Sequence, residues 1–371
     1  MMALYKTLVK KVSISPEKKT KQKDYLPKGQ LPIIDQGQQL IGGYADNLEL
    51  QLSCNLPVIV FGDHTRAVKY VDFPFGAGAD GIKVLEPAEG IYPKFLYYAT
   101  QYLVLRLEDR GYARHYQYIE KKELDIPPVP EQKRIVARIE ELFSELDNGV
   151  ETLRKTKQQL AVYRHSVLND AFAVCSERKS VGSVCTHVTD GDHMPPPKAA
   201  SGVPFVMISN IDGNRIDFSE TAFVGREYYE KIDSKRRPQI GDVLYTVTGS
   251  FGIPVLIDYD KEFCFQRHIA LLRPNDSVLS RYLYYAMQAP DVYAQASKGA
   301  TGTAQKTVGL TVLRKILIPY TESKTEQDQI VRDIENKMSV CDQIENTVDT
   351  ALQQAEAMRQ SILKKAFEGR L

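Results

Sequence analysis

The sequence has 371 residues, of which 43% are hydrophobic and 26% charged, and its formal net charge at pH 7 is +1. These values exclude a disordered chain, and the length suits roughly two to three domains. A total charge near zero does not exclude a nucleic-acid partner, because a polyanion responds to the local distribution of charge. Five widely spaced cysteines without a CxxC pair, and the lack of a signal peptide or membrane span, favour a soluble protein of the reducing cytoplasm.

The first predicted domain, residues 1–130, combines strands and helices. A continuous apolar run at 56–61 is typical of a buried strand, and Gly-rich turns separate it from its neighbours. Around Tyr97 and Tyr98 the apolar spacing is helical. We expect this tyrosine pair to belong to the core or to an interface rather than to stack on bases.

Residues 131–175 predict a long helix that begins just after a cluster of prolines. Its apolar residues recur every seven residues in two series, which is typical of a coiled-coil seam. At ~1.5 Å per residue, such a helix spans roughly 60 Å, which is more than a compact domain needs. The predicted seam residues are Ile135, Ile139, Leu142, Leu146, Leu153, Leu160 and Val167.

The second half of the chain follows the same order. Residues 176–320 predict a second mixed domain, with strand-like runs at 203–208, 242–247 and 253–257. Residues 321–371 predict a second long helix with the same heptad pattern. Its seam residues are Ile330, Ile334, Cys341, Ile344, Val348, Met358 and Ile362.

The two halves are related by an internal repeat. Residues 131–172 match residues 326–367 without a gap at an offset of 195, and sixteen of the 42 positions are identical. Upstream, Leu96–Ala99 recurs as Leu283–Ala286 at an offset of 187. Unrelated segments would share only about two or three of 42 positions, so the repeat indicates a duplication.

The repeat predicts an α+β fold. We expect two mixed α/β domains separated by two long helices, which form an antiparallel coiled coil with a pseudo-two-fold relation. The alternative is that both helices are core helices of one large domain. Paired modules on a two-fold frame suit DNA, whose backbone has local two-fold axes, and half-sites one turn apart lie ~34–36 Å from each other. The sequence therefore predicts a split, asymmetric target whose gap the helices fix.

Reading of base edges requires amides, hydroxyls and cations on loops. Basic residues suit contact with phosphates, although for any single lysine ordinary solvated surface is the simpler explanation. The predicted DNA-binding residues are Gln36, Gly37, Gln38, His64, Thr65, Arg66, Arg110, Arg114, His115, Ser209, Asn210, Thr248, Ser250, Arg267, His268, Lys298, Gln305 and Lys306.

Catalytic and metal-binding motifs are not recognisable in the sequence. The run Ile126–Val129 lacks the amide or carboxylate and the aromatic residue of the Asn/Asp-Pro-Pro-aromatic motif of DNA amino-methyltransferases. There is no Walker A sequence, and the Gly-x-Gly at 76–78 is weak evidence for a nucleotide loop. The Asp/His groupings near 63–64 and 187–193 have no specific metal spacing, and polar turns explain them more simply.

Several segments resemble a known family. Residues 126–136, IPPVPEQKRIV, are similar to the start of the central conserved helix of Type I restriction specificity subunits, the HsdS family. Residues 317–319 with 326–331 resemble the second copy of that start, and the tail 359–371 resembles the usual end of these proteins. Residues 35–38 and 299–306 are similar to recurring target-recognition segments.

The resemblance implies a non-catalytic subunit that binds double-stranded DNA. Each recognition domain would read one half of a bipartite site in the major groove. The helices would space the domains and dock two methylation subunits and, through them, a restriction subunit. S-adenosylmethionine and ATP would bind to these partner subunits, so we expect no cofactor and no metal in this chain. The alternatives are a coiled-coil adaptor that holds protein partners without reading DNA, and a self-contained methyltransferase-nuclease.

Overall fold

The computed structural model describes residues 1–79, 81–108, 111, 113–303 and 305–371. Its backbone contacts divide the chain into two compact units. Unit 1 comprises Met1–Arg154 and Asp349–Leu371, and unit 2 comprises Lys155–Val348. This division differs from the four predicted segments because each long helix contributes one part to each unit.

The first half of the chain supplies the strands and short helices of unit 1 and the first long helix, whose first part belongs to this unit. Prolines precede or open its two longer helices, where a residue without an N–H costs no hydrogen bond. The elements are β1 (Met2–Leu4), β2 (Val9–Val12), β3 (Lys19–Thr20), β4 (Leu31–Ile34), β5 (Gly43–Ala45), β6 (Val58–Gly62), β7 (Val68–Val71), β8 (Gly76–Gly78), β9 (Ile82–Pro87), α1 (Pro93–Leu105), α2 (Tyr116–Ile119), β10 (Glu123–Asp125) and α3 (Val129–Phe172).

The main sheet of unit 1 has the order β2-β9-β6-β7 and is antiparallel throughout. Both of its faces are covered. Ile59 and Phe61 pack with α1 and α3, whereas Val58 and Val60 face a second cluster that contains Phe75. Burial on both faces explains why residues 56–61 read as a continuous apolar run instead of an alternating one. A second sheet has the order β3-β8-β4-β5, and β1 pairs with β10.

Unit 2 repeats this arrangement and adds several short elements to it. The strands and helices of the second half of the chain follow in chain order. They are β11 (Glu177–Ser180), α4 (Val181–Val184), β12 (Cys185–Asp190), β13 (Lys198–Ala199), β14 (Val203–Val206), β15 (Ile211–Asp212), β16 (Arg215–Ile216), β17 (Ala222–Val224), α5 (Arg226–Lys231), β18 (Val243–Thr246), β19 (Pro254–Leu256), β20 (Cys264–Phe265), β21 (Ile269–Pro274), α6 (Ser280–Ala286), α7 (Pro290–Gly299), α8 (Leu310–Lys315), β22 (Leu317–Tyr320) and α9 (Lys324–Phe367).

The main sheet of unit 2 has the order β12-β21-β18-β19, again antiparallel, and it corresponds strand for strand to the main sheet of unit 1. Val243 and Tyr245 face the cluster that includes α6 and the long helices, and Leu244 faces the opposite side. The second sheets share a parallel pair next to an antiparallel one, but their edge strands differ: β3 pairs with β8, whereas β13 pairs with β17. Both halves of the chain therefore fold to one basic topology.

The long helices bury a narrower stripe than the predicted seam. The series Ile334, Cys341, Val348, Ala355 and Ile362 is buried. By contrast, the predicted seam residues Ile344 and Met358 are exposed by 39% and 55% and lie outside this buried stripe. A heptad pattern does not indicate how wide the buried stripe of a helix is. Here one of the two heptad series lies largely at the edge of that stripe. Of the other predicted seam residues, Ile139, Leu160, Val167 and Ile330 are buried, and Ile135, Leu142, Leu146 and Leu153 are half-buried.

Nearer to the two sheet domains the helices bury additional side chains. Val136 and Phe143 pack in the core of unit 1, and Leu168, Phe172 and Val331 pack in the core of unit 2. Spacings of four and seven residues, as between Leu168 and Phe172 and between Val136 and Phe143, are those of a surface helix against a globular core. Among the described residues, every helix is too short or too polar to cross a membrane.

Buried tyrosines predict a loss of stability at alkaline pH. Burial raises the pKa of Tyr25, Tyr116 and Tyr259 to about 12. A raised folded-state pKa contributes stability below the ordinary tyrosine value of about 10, and that stability is lost as the pH rises from there through 12. We expect the tyrosinate absorbance in a pH titration to rise together with loss of the circular dichroism signal. Independent titration of all tyrosines near pH 10 with the fold intact would contradict this.

Candidate functional site

In unit 1 the structure brings two of the predicted reading loops into contact. The hydroxyl of Thr65 donates to the carbonyl of Gln36, and Nε2 of Gln38 lies 3.4 Å from the carbonyl oxygen of Thr65. Gln38 and Thr65 are exposed, whereas Gln36, Gly37, His64 and Arg66 are half-buried. Two loops that are distant in sequence thus form one polar surface.

Two features hold this surface in shape. The buried Lys69 ammonium donates to the carbonyl of Asp35 at 2.8 Å and lies 3.4 Å from its carboxylate, which in turn accepts the N–H of Gly37. Desolvation lowers the pKa of Lys69, and the opposite effect of Asp35 is smaller. Arg66 has a φ of 62°, which is uncommon for a residue other than glycine and defines a tight turn after Thr65.

The third predicted segment of unit 1, which contains Arg114 and His115, is hydrogen-bonded to Asp63, close in sequence to the turn at Thr65. The carboxylate of Asp63 accepts the N–H of Tyr116 at 2.9 Å, and its carbonyl accepts the N–H of His115 at 2.8 Å. His115 is only 1% exposed, so it is part of the core and is not placed to touch a base. Arg114 beside it is exposed, and Arg110 lies outside the described residues.

In unit 2 a cavity of about 640 Å³ gathers predicted residues from four separate segments. Its walls combine hydroxyl, amide and imidazole groups with an apolar floor. They are formed by Met207, Ile208, Ser209, Ile211, Thr246, Thr248, Gly249, Ser250, Ile253, Gln266, His268 and Gln305.

Hydrogen bonds join two of the segments that line this cavity. The N–H of Gly249 donates to the carbonyl of Lys306 at 3.0 Å, and the hydroxyls of Thr248 and Thr307 are 3.3 Å apart. The turn after β18 is thereby joined to the loop before α8. Lys306 itself is exposed, and its neighbour Gln305 lines the cavity.

Other predicted residues of unit 2 lie elsewhere. Asn210 is 5% exposed, and its side chain accepts the N–H of Met207 at 2.9 Å, so it stabilises a turn. Arg267 and Lys298 are exposed and are not among the residues that line the cavity.

Gln266 is a cavity residue that the sequence analysis missed. It lines the cavity together with His268, whereas Arg267 between them does not. Residues 267–268 form a turn directly after Gln266, and no local sequence pattern distinguishes an amide that lines a cavity from one that is exposed at a turn.

The tandem tyrosines pack with the core and with the long helices. The ring of Tyr98 packs edge-on against that of Phe143, with ring centroids 5.8 Å apart. The ring centroids of Tyr284 and Tyr285 are 4.9 Å apart. In the part of the chain that the structure describes, no group of three or more His, Cys, Asp or Glu side chains is arranged to hold a metal ion.

The fold and the two polar surfaces define a class of α+β protein with two related domains carried on long helices. A family model described as "Type I restriction modification DNA specificity domain" matches residues 11–160 and 179–354. The chain belongs to this family, which confirms the resemblance found in the sequence.

Among relatives, the chain is similar to the Type I restriction enzyme EcoBI specificity subunit of Escherichia coli, at 23% identity over 278 residues. It is also similar to the EcoKI specificity subunit of Escherichia coli strain K12, at 25% identity over 277 residues. The matches cover 67% of this chain in both cases, and 58% and 57% of the two relatives. The chain thus spans little more than half the length of these relatives.

Two solved structures have the same fold. One is a chain from a study of complex assembly and conformational transition of the type I R-M system, with a TM-score of 0.71, 16% identity and coverage of 100% of this chain and 98% of that chain. The other is the HsdS subunit from Thermoanaerobacter tengcongensis, with a TM-score of 0.54, 17% identity and coverage of 100% and 97%. At these identities the likeness concerns the fold.

Proposed function

We propose that the chain is the DNA specificity subunit of a Type I restriction-modification complex, and that each unit reads one half of an asymmetric, bipartite site. One observation carries the proposal: two units of the same sheet topology each gather polar side chains from separate loops. Unit 1 does so around Gln38 and Thr65, and unit 2 does so in the cavity that contains Gln266 and His268. Amides, hydroxyls and imidazoles are the groups that distinguish base edges.

We further propose that α3 and α9 form an antiparallel coiled coil with a pseudo-two-fold relation. A repeated ion pair supports this. In unit 2, Arg164 donates to Asp342 at 2.6 Å, and in unit 1 Arg359 donates to Asp147. Arg359 and Asp342 lie 195 residues after Arg164 and Asp147, the offset of the repeat. Each copy of the arginine thus pairs with the other copy of the aspartate, as a two-fold axis requires.

The same proposal names partner subunits for the chain and assigns no catalytic activity to the chain itself. The helices would dock two methylation subunits, which would bind S-adenosylmethionine, and through them a restriction subunit, which would bind ATP. The names of the relatives, as specificity subunits of restriction enzymes, support this division of labour. The chain itself would be non-catalytic and would bind double-stranded DNA.

Salt dependence of DNA binding tests the proposed function. We expect the full chain to bind random duplex in a mobility-shift assay, and the logarithm of the binding constant to fall linearly as the logarithm of salt concentration rises. A coiled-coil adaptor that holds only proteins would show no such binding at any salt concentration, also when the methylation subunit is added. That result would overturn the proposal.

Substitution of the exposed cations tests whether each unit serves one half-site. We expect Arg114→Ala to weaken binding through the first half-site and Lys306→Ala through the second, each by about tenfold, because each cation belongs to one domain. Affinities are measured on duplexes in which either half-site is scrambled. Arg332→Ala is the matched control, since Arg332 is 68% exposed on α9 and pairs with Asp328. Equal loss at both half-sites for either variant would contradict the assignment.

A further inference from the structure

Two buried glutamines occupy matching positions of the repeat. Gln132 is 1% exposed and Gln327 is 0% exposed, and they stand 195 residues apart. Oε1 of Gln132 accepts the N–H of Tyr92 at 2.7 Å. Its Nε2 donates to the carbonyls of Gly90 at 3.0 Å and Pro127 at 2.9 Å. The side chain thus uses both of its donors and one acceptor position on backbone groups.

Gln327 makes the same three bonds in unit 2. Its Oε1 accepts the N–H of Leu279 at 2.8 Å, and its Nε2 donates to Ser277 at 3.0 Å and Thr321 at 2.8 Å. Tyr92 and Leu279 are the residues that immediately precede α1 and α6. Each glutamine therefore ties the start of a domain helix to the first turn of a long helix.

A second attachment recurs on the same faces. The ammonium of Lys94 on α1 is 2.6 Å from Glu140 on α3, and the guanidinium of Arg281 on α6 is 2.6 Å from Glu335 on α9. Each glutamate lies eight residues beyond its glutamine, about 12 Å along the helix. Two separated attachments define an angle as well as a distance. The ion pairs are partly exposed and weak, so the buried amides contribute most to this geometry.

We propose that Gln132 and Gln327 are positioning residues that set the angle of each recognition domain on its helix, and thereby the gap between the half-sites. This role rests on the proposed function, and it would explain why the gap between the two half-sites is constant. A methionine in place of the glutamine has a similar size but makes none of the three bonds. The domain would keep its reading surface and lose its fixed orientation.

Selection from random DNA provides the test. The full-length wild-type chain and the variants Gln132→Met and Gln327→Met are each incubated with synthetic duplexes that carry a randomised core. Bound duplexes are sequenced, and the preference for the best gap over gaps one base pair longer or shorter is measured. For each variant we expect the same two half-sites, with the gap preference reduced about tenfold or more. Gln159→Met, at an exposed glutamine of α3, should keep the wild-type preference.

The outcomes separate the two proposals. Failure of the wild-type chain to select any bipartite motif would overturn the proposed function, and the positioning role with it. A wild-type motif with one gap, kept with unchanged preference by both methionine variants, would overturn the positioning role alone. A uniform loss of affinity without a change of gap preference would indicate a merely structural role and would overturn it as well.

A second variant covers the case in which the methionine variants do not fold. Gln132→Glu keeps the shape and the acceptor but loses both donors while it is ionised. Burial raises the pKa of such a carboxyl, and protonation returns one donor. We expect its gap preference, divided by that of the wild type at the same pH, to rise as the pH is lowered from about 8 to about 6. A ratio of one at both pH values would contradict the inference.

Discussion

Replacement of Arg273 by leucine is expected to lower the free energy of unfolding of unit 2 by about 3–5 kcal/mol, because a buried carboxylate loses the cation that pairs with it. The guanidinium of Arg273 forms two bonds with Asp242, Nε to Oδ1 at 2.9 Å and an Nη to Oδ2 at 2.8 Å. Asp242 is 2% exposed, so water cannot replace these bonds. Urea denaturation followed by circular dichroism gives the change in stability.

Two further variants make this prediction specific. Arg332→Leu breaks an exposed pair on α9 and should change stability by about 0.5 kcal/mol or less. Replacing both Asp242 and Arg273 by leucine removes the buried charge and should cost less than Arg273→Leu alone. A loss below about 1 kcal/mol for Arg273→Leu, or a larger loss for the double variant, would show that this pair does not hold the sheet.

The stability of this pair also matters for the site. Asp242 immediately precedes β18, whose far end leads into Thr248 and Ser250, and Arg273 lies on β21, which follows His268. Residues that follow β18 and residues that precede β21 line the cavity. We therefore expect Arg273→Leu to weaken reading of the second half-site in addition to destabilising unit 2.

The cavity substitutions Gln266→Ala and His268→Ala are expected to reduce affinity for the second half-site by about 10- to 100-fold each, and to leave the first half-site unchanged. Loss of a base-edge contact costs about 1–3 kcal/mol of discrimination. Binding is measured on duplexes with single base-pair changes in either half, and the variants should tolerate changes that the wild-type chain rejects.

Gln343→Ala is the matched control for these substitutions, because Gln343 is an exposed glutamine of α9 within unit 2. It should bind with wild-type affinity and selectivity. If the cavity variants lost affinity equally for all duplexes, or lost none, the cavity would not be a base-reading surface.

Long-range periodicity made much of the fold predictable. Apolar runs at 56–61, 203–208, 242–247 and 253–257 coincide with buried strands, and the heptad patterns coincide with α3 and α9. These elements bury continuous apolar surface, which leaves a clear pattern in the sequence. Strands of two or three residues, such as β3 and β13, are too short to leave one.

The candidate site was less predictable because polar residues have several possible roles. Asn210 and His115 are amide and imidazole residues of the type that reads bases, yet one stabilises a turn and the other is buried. Gln132 and Gln327 were recognised as part of a repeated motif, but only their contacts reveal what each amide binds. Which side chains share a surface depends on strand pairing that is remote in sequence.

The genome-wide methylation motif of a host that expresses this chain with its methylation subunit tests the central claim most directly. The proposed function predicts one motif with two dissimilar halves, separated by a constant number of unspecified base pairs. Exchange of residues 176–320 for those of another family member should change one half and preserve the other. A single uninterrupted motif, or a change of both halves after the exchange, would contradict two independent reading domains.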